Sequence, residues 1–261
     1  MSDTTAAGAG AGVLSAPARE VVLGLADDEI CLGHWYATWI GLGPFLEEDL
    51  AFTSIGQDEL GHARALFALA EPDGDRDALA YGRTAGAYRC CALVEQPVSA
   101  WEDLFARHLL YDEAEVVRWE ALRRSSVPGL GSLAERVLVE ESFHTAHARG
   151  LFLRLMRGGD TARERVGNAL ARQLPLALGL FEPSIGAEQA VADGVMAEPF
   201  SAQAARWRER LEALFDEGGL SVAWPTAVAE PGGRRGVRSD GWQALFEEMT
   251  KVYALDPAAR W

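Results

Sequence analysis

Gln57-Asp58-Glu59-Leu60-Gly61-His62 decides how this chain folds, because it sets Glu-x-x-His on a helix. Residues three apart on an α-helix lie about 60° apart around the axis and roughly 4.5 Å along it, so a carboxylate and an imidazole at that spacing grip one ion. The motif recurs as Glu141-Ser142-Phe143-His144, and an acid precedes each copy at nearly the same distance: Glu29 before Glu59, Asp112 before Glu141. Two helices giving one carboxylate each and two giving Glu-x-x-His make the ligand set of a carboxylate-bridged dimetal four-helix bundle. A single Glu-x-x-His is a weak signal; two copies, each with its upstream acid, are much harder to reach by chance.

The competing reading, exposed Glu and His on solvated helix faces, is opposed by the apolar stripes. From about Ala18 to Ile40 the stripe is Val22, Leu25, Leu32, Tyr36 and Trp39, and Glu29 falls inside it. An uncompensated carboxylate in a core stripe is costly, which is the physical reason to read a ligand there. Gly41-Leu42-Gly43-Pro44 turns the chain into a second helix from about Phe45 to Ala70. Its face carries Phe45, Asp49, Phe52, Gly56, Glu59, Ala63 and Leu66, with His62 beside Glu59. Measured from the turn, Glu29 stands roughly 17 Å up its helix and Glu59 roughly 21 Å up the next, so the two carboxylates come level.

Residues 76–98 are less periodic and read as a short helical excursion. A third long helix, from about Ser99 to Arg124, has the stripe Trp101, Phe105, His108, Asp112, Glu115, Trp119 and Leu122. This selects Asp112 over Glu113 and leaves Glu115 as an extra or alternative ligand. His108 reads as a hydrogen-bonded core histidine. After Pro128-Gly129 a fourth helix runs to about Met156 with Leu133, Val137, Glu141, His144, Ala148 and Leu151 inward; His147 either lines the pocket or faces solvent. Asp58 and Glu140, each just before a ligand Glu, read as partners of the opposite motif's histidine, because a metal-bound imidazole donates its other nitrogen to a carboxylate. Trp35, Tyr36, Trp39 and Phe143 are candidates to line a cavity near the ligands.

Further helices are expected around 161–181, 186–194, 201–217 and 240–253. Gly232-Gly233-Arg234-Arg235-Gly236 reads either as a phosphate-holding loop or as a plain basic surface loop. No βαβ alternation, P-loop or convincing strand appears, so the fold class is all-α. The expected organisation is a tail over 1–17, disordered and unlike a signal peptide, and one domain over 18–261 with a core bundle at about 18–157 and extra helices over 160–261. Of the 261 residues 49% are hydrophobic and 24% charged, as in ordinary globular chains. The net charge of −15 argues against nucleic acid or an anionic membrane surface as partner. No apolar run is long enough to span a bilayer. Three cysteines, Cys31, Cys90 and Cys91, make no disulfide framework and point to a reducing cytoplasm.

These residues resemble the phenylacetic acid catabolic family, the ferritin-like subunits of phenylacetyl-CoA epoxidase. Gln57-Asp58-Glu59-x-Gly61-His62 and Glu140-Glu141-Ser142-Phe143-His144, with Glu29-Ile30 and Asp112 upstream, resemble the di-iron motifs of the catalytic subunit. Leu32-Gly33, Ile55-Gly56, Leu93-Val94-Glu95-Gln96-Pro97, the Gly232-Gly233 loop and Trp261 are more similar to the companion, structural subunit. In that subunit type the ligands are typically incomplete, whereas here all six positions are filled. Ile55 stands where the catalytic subunits carry a lysine, which sets direct epoxidation of phenylacetyl-CoA in doubt.

The resemblance implies a ferritin-like bundle holding two Fe ions, with Mn suited to the same oxygen-rich ligands. Glu59 and Glu141 would bridge them as the catalytic carboxylates, His62 and His144 would cap one each, and Glu29 and Asp112 would be terminal. It further implies O2 activation, an organic substrate with an aromatic acyl-CoA thioester first, a reductase or other electron donor, and a homodimer or a hetero-oligomer with a related subunit. A non-catalytic scaffold subunit and a ferroxidase or metal-handling protein are the alternatives.

Overall fold

The structure, a computed structural model, describes residues 14–259. In chain order its helices are α1 (Ala16–Thr38), α2 (Leu46–Ala70), the short α3 (Arg76–Tyr81) and α4 (Ala92–Glu95), α5 (Trp101–Leu122), α6 (Leu130–Arg157), α7 (Asp160–Ala177), α8 (Ala187–Ala192), α9 (Phe200–Gly218) and α10 (Trp242–Leu255). No strand occurs among the described residues. Residues 1–13 of the expected tail and Trp261 lie outside them. Helix α1 begins at Ala16, within the range expected for the tail, because the Ser15 hydroxyl accepts from the Ala18 N–H and Pro17 fits the first turn.

The all-α, ferritin-like reading holds. Two long hairpins, α1–α2 and α5–α6, face each other, with α2 also meeting α6. Packing between α1 and α2 is close because two glycines lie in the seam. A Cβ on Gly33 would stand 2.7 Å from Leu60 Cγ, and one on Gly56 would stand 3.0 Å from Tyr36 Cβ. This approach sets Glu29 of α1 against Glu59 and His62 of α2. Helices α7 and α9 lie against α5 and α6, while α8 and α10 lie against α1. No described helix is long and apolar enough to cross a membrane.

Being covered on so many sides, α1 buries three consecutive acids, Asp27, Asp28 and Glu29, all without solvent exposure. Carboxylates so placed need partners. Asp27 pairs with Arg83 and accepts from the Arg89 backbone N–H at 2.6 Å. Asp28 holds Arg118 at 2.8 Å and Arg234 at 2.5 Å. The 232–236 loop is therefore neither a phosphate cradle nor a plain surface loop. Arg234 is buried and also donates to the carbonyls of Gly24 and Leu180, at 2.7 and 3.1 Å. Glu182 takes the positions an anion would want, accepting from the Gly232 N–H and pairing with Arg235 at 2.9 Å. An internal carboxylate outcompetes an external phosphate because it is already held in place. The three cysteines are free and buried.

Candidate metal centre

The six residues singled out by the Glu-x-x-His pattern come from four helices: Glu29 from α1, Glu59 and His62 from α2, Asp112 from α5, and Glu141 and His144 from α6. All are buried, the four acids completely. Ligand atoms of Glu29, Glu59 and His62 lie within 4.8 Å of one another, as do those of Glu59, Glu141 and His144. Glu59 belongs to both trios. Glu141 also faces both imidazoles, at 3.3 Å from His144 Nδ1 and 3.8 Å from His62 Nδ1, and Glu59 lies 3.8 Å from each. Two carboxylates placed symmetrically between two histidines is the arrangement in which each can serve two ions.

Each imidazole is oriented from behind. His62 Nε2 lies 2.7 Å from Glu140 Oε2, and His144 Nε2 lies 3.2 Å from Asp58 Oδ2. These are the crossed pairs expected from sequence: each motif's preceding acid serves the other motif's histidine. A carboxylate accepting the Nε2–H leaves the Nδ1 lone pair pointing inward.

The inward atoms face mainly one another. Both carboxylate oxygens of Glu29, Glu59 and Glu141, Oδ1 of Asp112, and Nδ1 of His62 and His144 are buried without a hydrogen-bond partner in the protein, and Asp112 Oδ2 has only the His108 imidazole near it. Burial, then the Glu59 charge, pushes the Glu29 carboxyl up to about 8. Burial likewise raises Glu59 and drives Asp112 and Glu141 well above the usual carboxylate range. For His62 burial opposes the imidazolium, but Glu29 and Glu59 outweigh it and the net shift is upward. So many buried acids with only two imidazoles among them suit a cation. Oxygen-rich donors with two imidazoles suit Fe(II) or Mn(II).

Asp112 is set apart from the two trios. Its Oδ2 is 3.0 Å from His108 Nδ1, an atom that also lies 3.2 Å from the Tyr36 hydroxyl. His108 is the hydrogen-bonded core histidine expected. From its Nε2 a chain continues to His147 Nδ1 at 3.1 Å, and from His147 Nε2 to Glu48 at 3.0 Å. That half-buried position lies between the two alternatives open for His147. Glu115 is spoken for, since it bonds to Arg118 and accepts from Trp119 Nε1. Glu113 turns the other way, to Arg149 and to Arg210 at 2.8 Å.

Among the aromatic candidates, Tyr36 is buried beside His108, and Trp35, half-buried, donates to the Val94 carbonyl at 2.8 Å. Trp39 is half-buried. Phe143 points to solvent, 70% exposed, and lines no internal cavity. It sits between Glu141 and His144, and the helix turns it outward as they turn inward. Ile55 is buried. The Asp28–Arg118–Glu115 network beside the site was missed; its available signal was a run of three acids in the otherwise apolar stretch from Val21 to Leu32.

Over residues 1–261 the chain matches the family described as Phenylacetic acid catabolic protein. It is similar to the C subunit of 1,2-phenylacetyl-CoA epoxidase of Escherichia coli (strain K12), at 28% identity over 242 residues, which cover 92% of this chain and 97% of that one. It is also similar to the A subunit of the same enzyme, at 26% identity over 147 residues, 56% of this chain and 48% of that one. The match along its whole length places this all-α chain in the phenylacetic acid catabolic protein family.

Proposed function

We propose that this chain is a di-iron oxygenase acting on an organic substrate, with an aromatic acyl-CoA thioester as the first class to test. Glu29, Glu59, His62, Asp112, Glu141 and His144 would hold the two ions. The observation that carries this reading is the set of buried, unpartnered oxygen and Nδ1 atoms converging on one pocket from four helices. When bound, a pair of irons supplies the electrons and coordination positions that activate O2.

The protein's part is positional. Glu59 and Glu141 are the shared carboxylates, and Asp58 and Glu140 accept the Nε2 protons and fix the histidine tautomers. Phe52 is buried against His108 and Trp119 against His62, and both keep bulk water from those sides. The chain belongs with components of a multi-subunit enzyme, so an electron donor and a related subunit are the partners we assign.

A second reading, a subunit that supports a catalytic homologue without turnover of its own, is favoured by the longer match to the C subunit of the epoxidase. Metal analysis after anaerobic Fe(II) loading separates the two. The oxygenase reading expects about two ions per chain, lost together in Glu59→Ala because both clusters share that carboxylate. Fewer than about half an ion per chain after loading refutes it.

A further inference from the structure

Two cavities meet where α3 and α10 lie over the α1–α2 hairpin, and neither is lined by a residue of α5 or α6. The inner one, of about 210 Å³, is walled by Ile30, Leu60, Ala63, Phe67 and Ala80. Ile30, Leu60 and Ala63 each directly follow a residue of the metal centre, so the helix turns them about 100° away from it. An apolar cavity of about 150 Å³ takes up benzene, so the inner cavity has room for one aromatic ring. The outer one, of about 560 Å³, has an aromatic wall. The His34 and Tyr81 rings stand edge to face at 5.8 Å, and Tyr81 lies 6.4 Å from Tyr253.

Arg64, Asp77 and Tyr81 line both cavities and form the neck between them. The other charges of the outer wall are already used: Lys251 pairs with Glu248, and Asp256 accepts from the Ala258 N–H at 3.1 Å. Arg64 and Asp77 are not. Among the described residues neither side chain makes an ion pair or a hydrogen bond, with the other or with anything else. Asp77 nonetheless acts on the neck, since burial and then its charge raise the Tyr81 phenol above the usual range. Arg76 adds a second guanidinium at the rim of the inner cavity. On the outer wall His34 Nε2 is buried without a hydrogen-bond partner.

We propose that the two cavities form a binding site for a free α-amino acid with an aromatic side chain. The ring fills the inner cavity, the carboxylate meets Arg64 and the ammonium meets Asp77. An α-amino acid carries both charges on one carbon, so a single neck can hold both. An aryl carboxylate would set its charge beside Asp77, and an aryl amine would set its charge beside Arg64. Each is a like-charge contact that the zwitterion replaces with an attractive one. His34 Nε2 offers the ligand one further hydrogen bond. The site needs no metal and stands apart from the oxygenase reading.

Isothermal titration calorimetry on the metal-free full chain tests it with three probes: L-phenylalanine, 3-phenylpropionate, which lacks the ammonium, and 2-phenylethylamine, which lacks the carboxylate. Phenylalanine is expected to bind, and each analogue to bind about 10- to 100-fold more weakly. Arg64→Gln should erase the advantage over the amine, and Asp77→Asn the advantage over the carboxylate. Both side chains are exposed, so helical circular dichroism should stay unchanged. Ala80→Phe, which fills the inner cavity from α3, should abolish binding. No heat from phenylalanine up to about 10 mM overturns the proposal, as do equal affinities for the three probes. Tighter binding of either analogue overturns it by giving the neck to a simple anion or cation. Binding that survives Arg64→Gln and Asp77→Asn unchanged places the ligand elsewhere and overturns it too.

Discussion

Glu140→Gln is the perturbation that most directly tests how the centre is built. Glu140 Oε2 lies 2.7 Å from His62 Nε2, inside the range of a charge-assisted hydrogen bond, and its side chain is 48% exposed. Glutamine keeps the shape and still offers an acceptor oxygen, but it removes the charge that raises imidazole basicity and fixes the ring. Loss of such a partner weakens metal binding by about 10- to 100-fold, or about 1.4–2.7 kcal/mol. The equivalent bond from Asp58 to His144 is longer, at 3.2 Å, so Asp58→Asn should fall at the lower end of that range. Half-exposed side chains contribute little to the metal-free fold, and both variants should melt within about 0.5 kcal/mol of wild type once chelated. The assay is anaerobic Co(II) titration against a competing chelator, read by visible absorption, with circular dichroism as the control for folding. Co(II) affinities within twofold of wild type in both variants would refute the histidine-orienting role. An equal loss of chelated-state stability would show that these acids merely hold the helices together.

Arg118→Met should cost about 3–5 kcal/mol, because it leaves Glu115 buried without a cation, only the Trp119 N–H remaining, and takes from Asp28 one of its two guanidinium partners. Thermal denaturation should show this as a fall of about 10 °C, and a fall of only a degree or two would mean the network relaxes easily. Gly33→Ala drives a Cβ into Leu60 and should destabilise by about 1–3 kcal/mol; denaturant melts that match wild type would contradict the close α1–α2 approach. In the chelated protein Glu29 titrates near 8 instead of 4.5. Its neutral form is favoured by the fold, so that contribution is complete below about 4.5 and is lost as pH rises through about 8. Chelated wild type should therefore lose stability relative to Glu29→Gln over that window. Parallel pH profiles for the two proteins would show that Glu29 is compensated without a metal.

The sequence by itself determined the helical hairpins, the six acids and histidines on their inward faces, and the crossed service of each histidine by the other motif's acid. A 3.6-residue period tells which side chains share a face, and helix rise tells which come level, so the Glu29–Glu59 pairing followed from arithmetic along one hairpin. The same period could not rank Asp112 against Glu115, since both lie on the stripe. Only the structure shows that Glu115 is taken by Arg118 and Trp119 of its own helix, while Asp112 has no partner beyond its approach to His108. Nor does periodicity reveal what covers the far side of a helix. Asp27 and Asp28 are buried because Arg83, the 89–91 segment, Arg118 and Arg234 close over that stretch of α1, and Arg234 comes from a loop more than two hundred residues away in the chain. Phe143 faces solvent because its neighbours on both sides face the pocket, and whether such a face stays wet is set by what packs against it. Local pattern fixes direction from the helix axis; burial and partnership depend on chain segments whose approach only the tertiary structure contains.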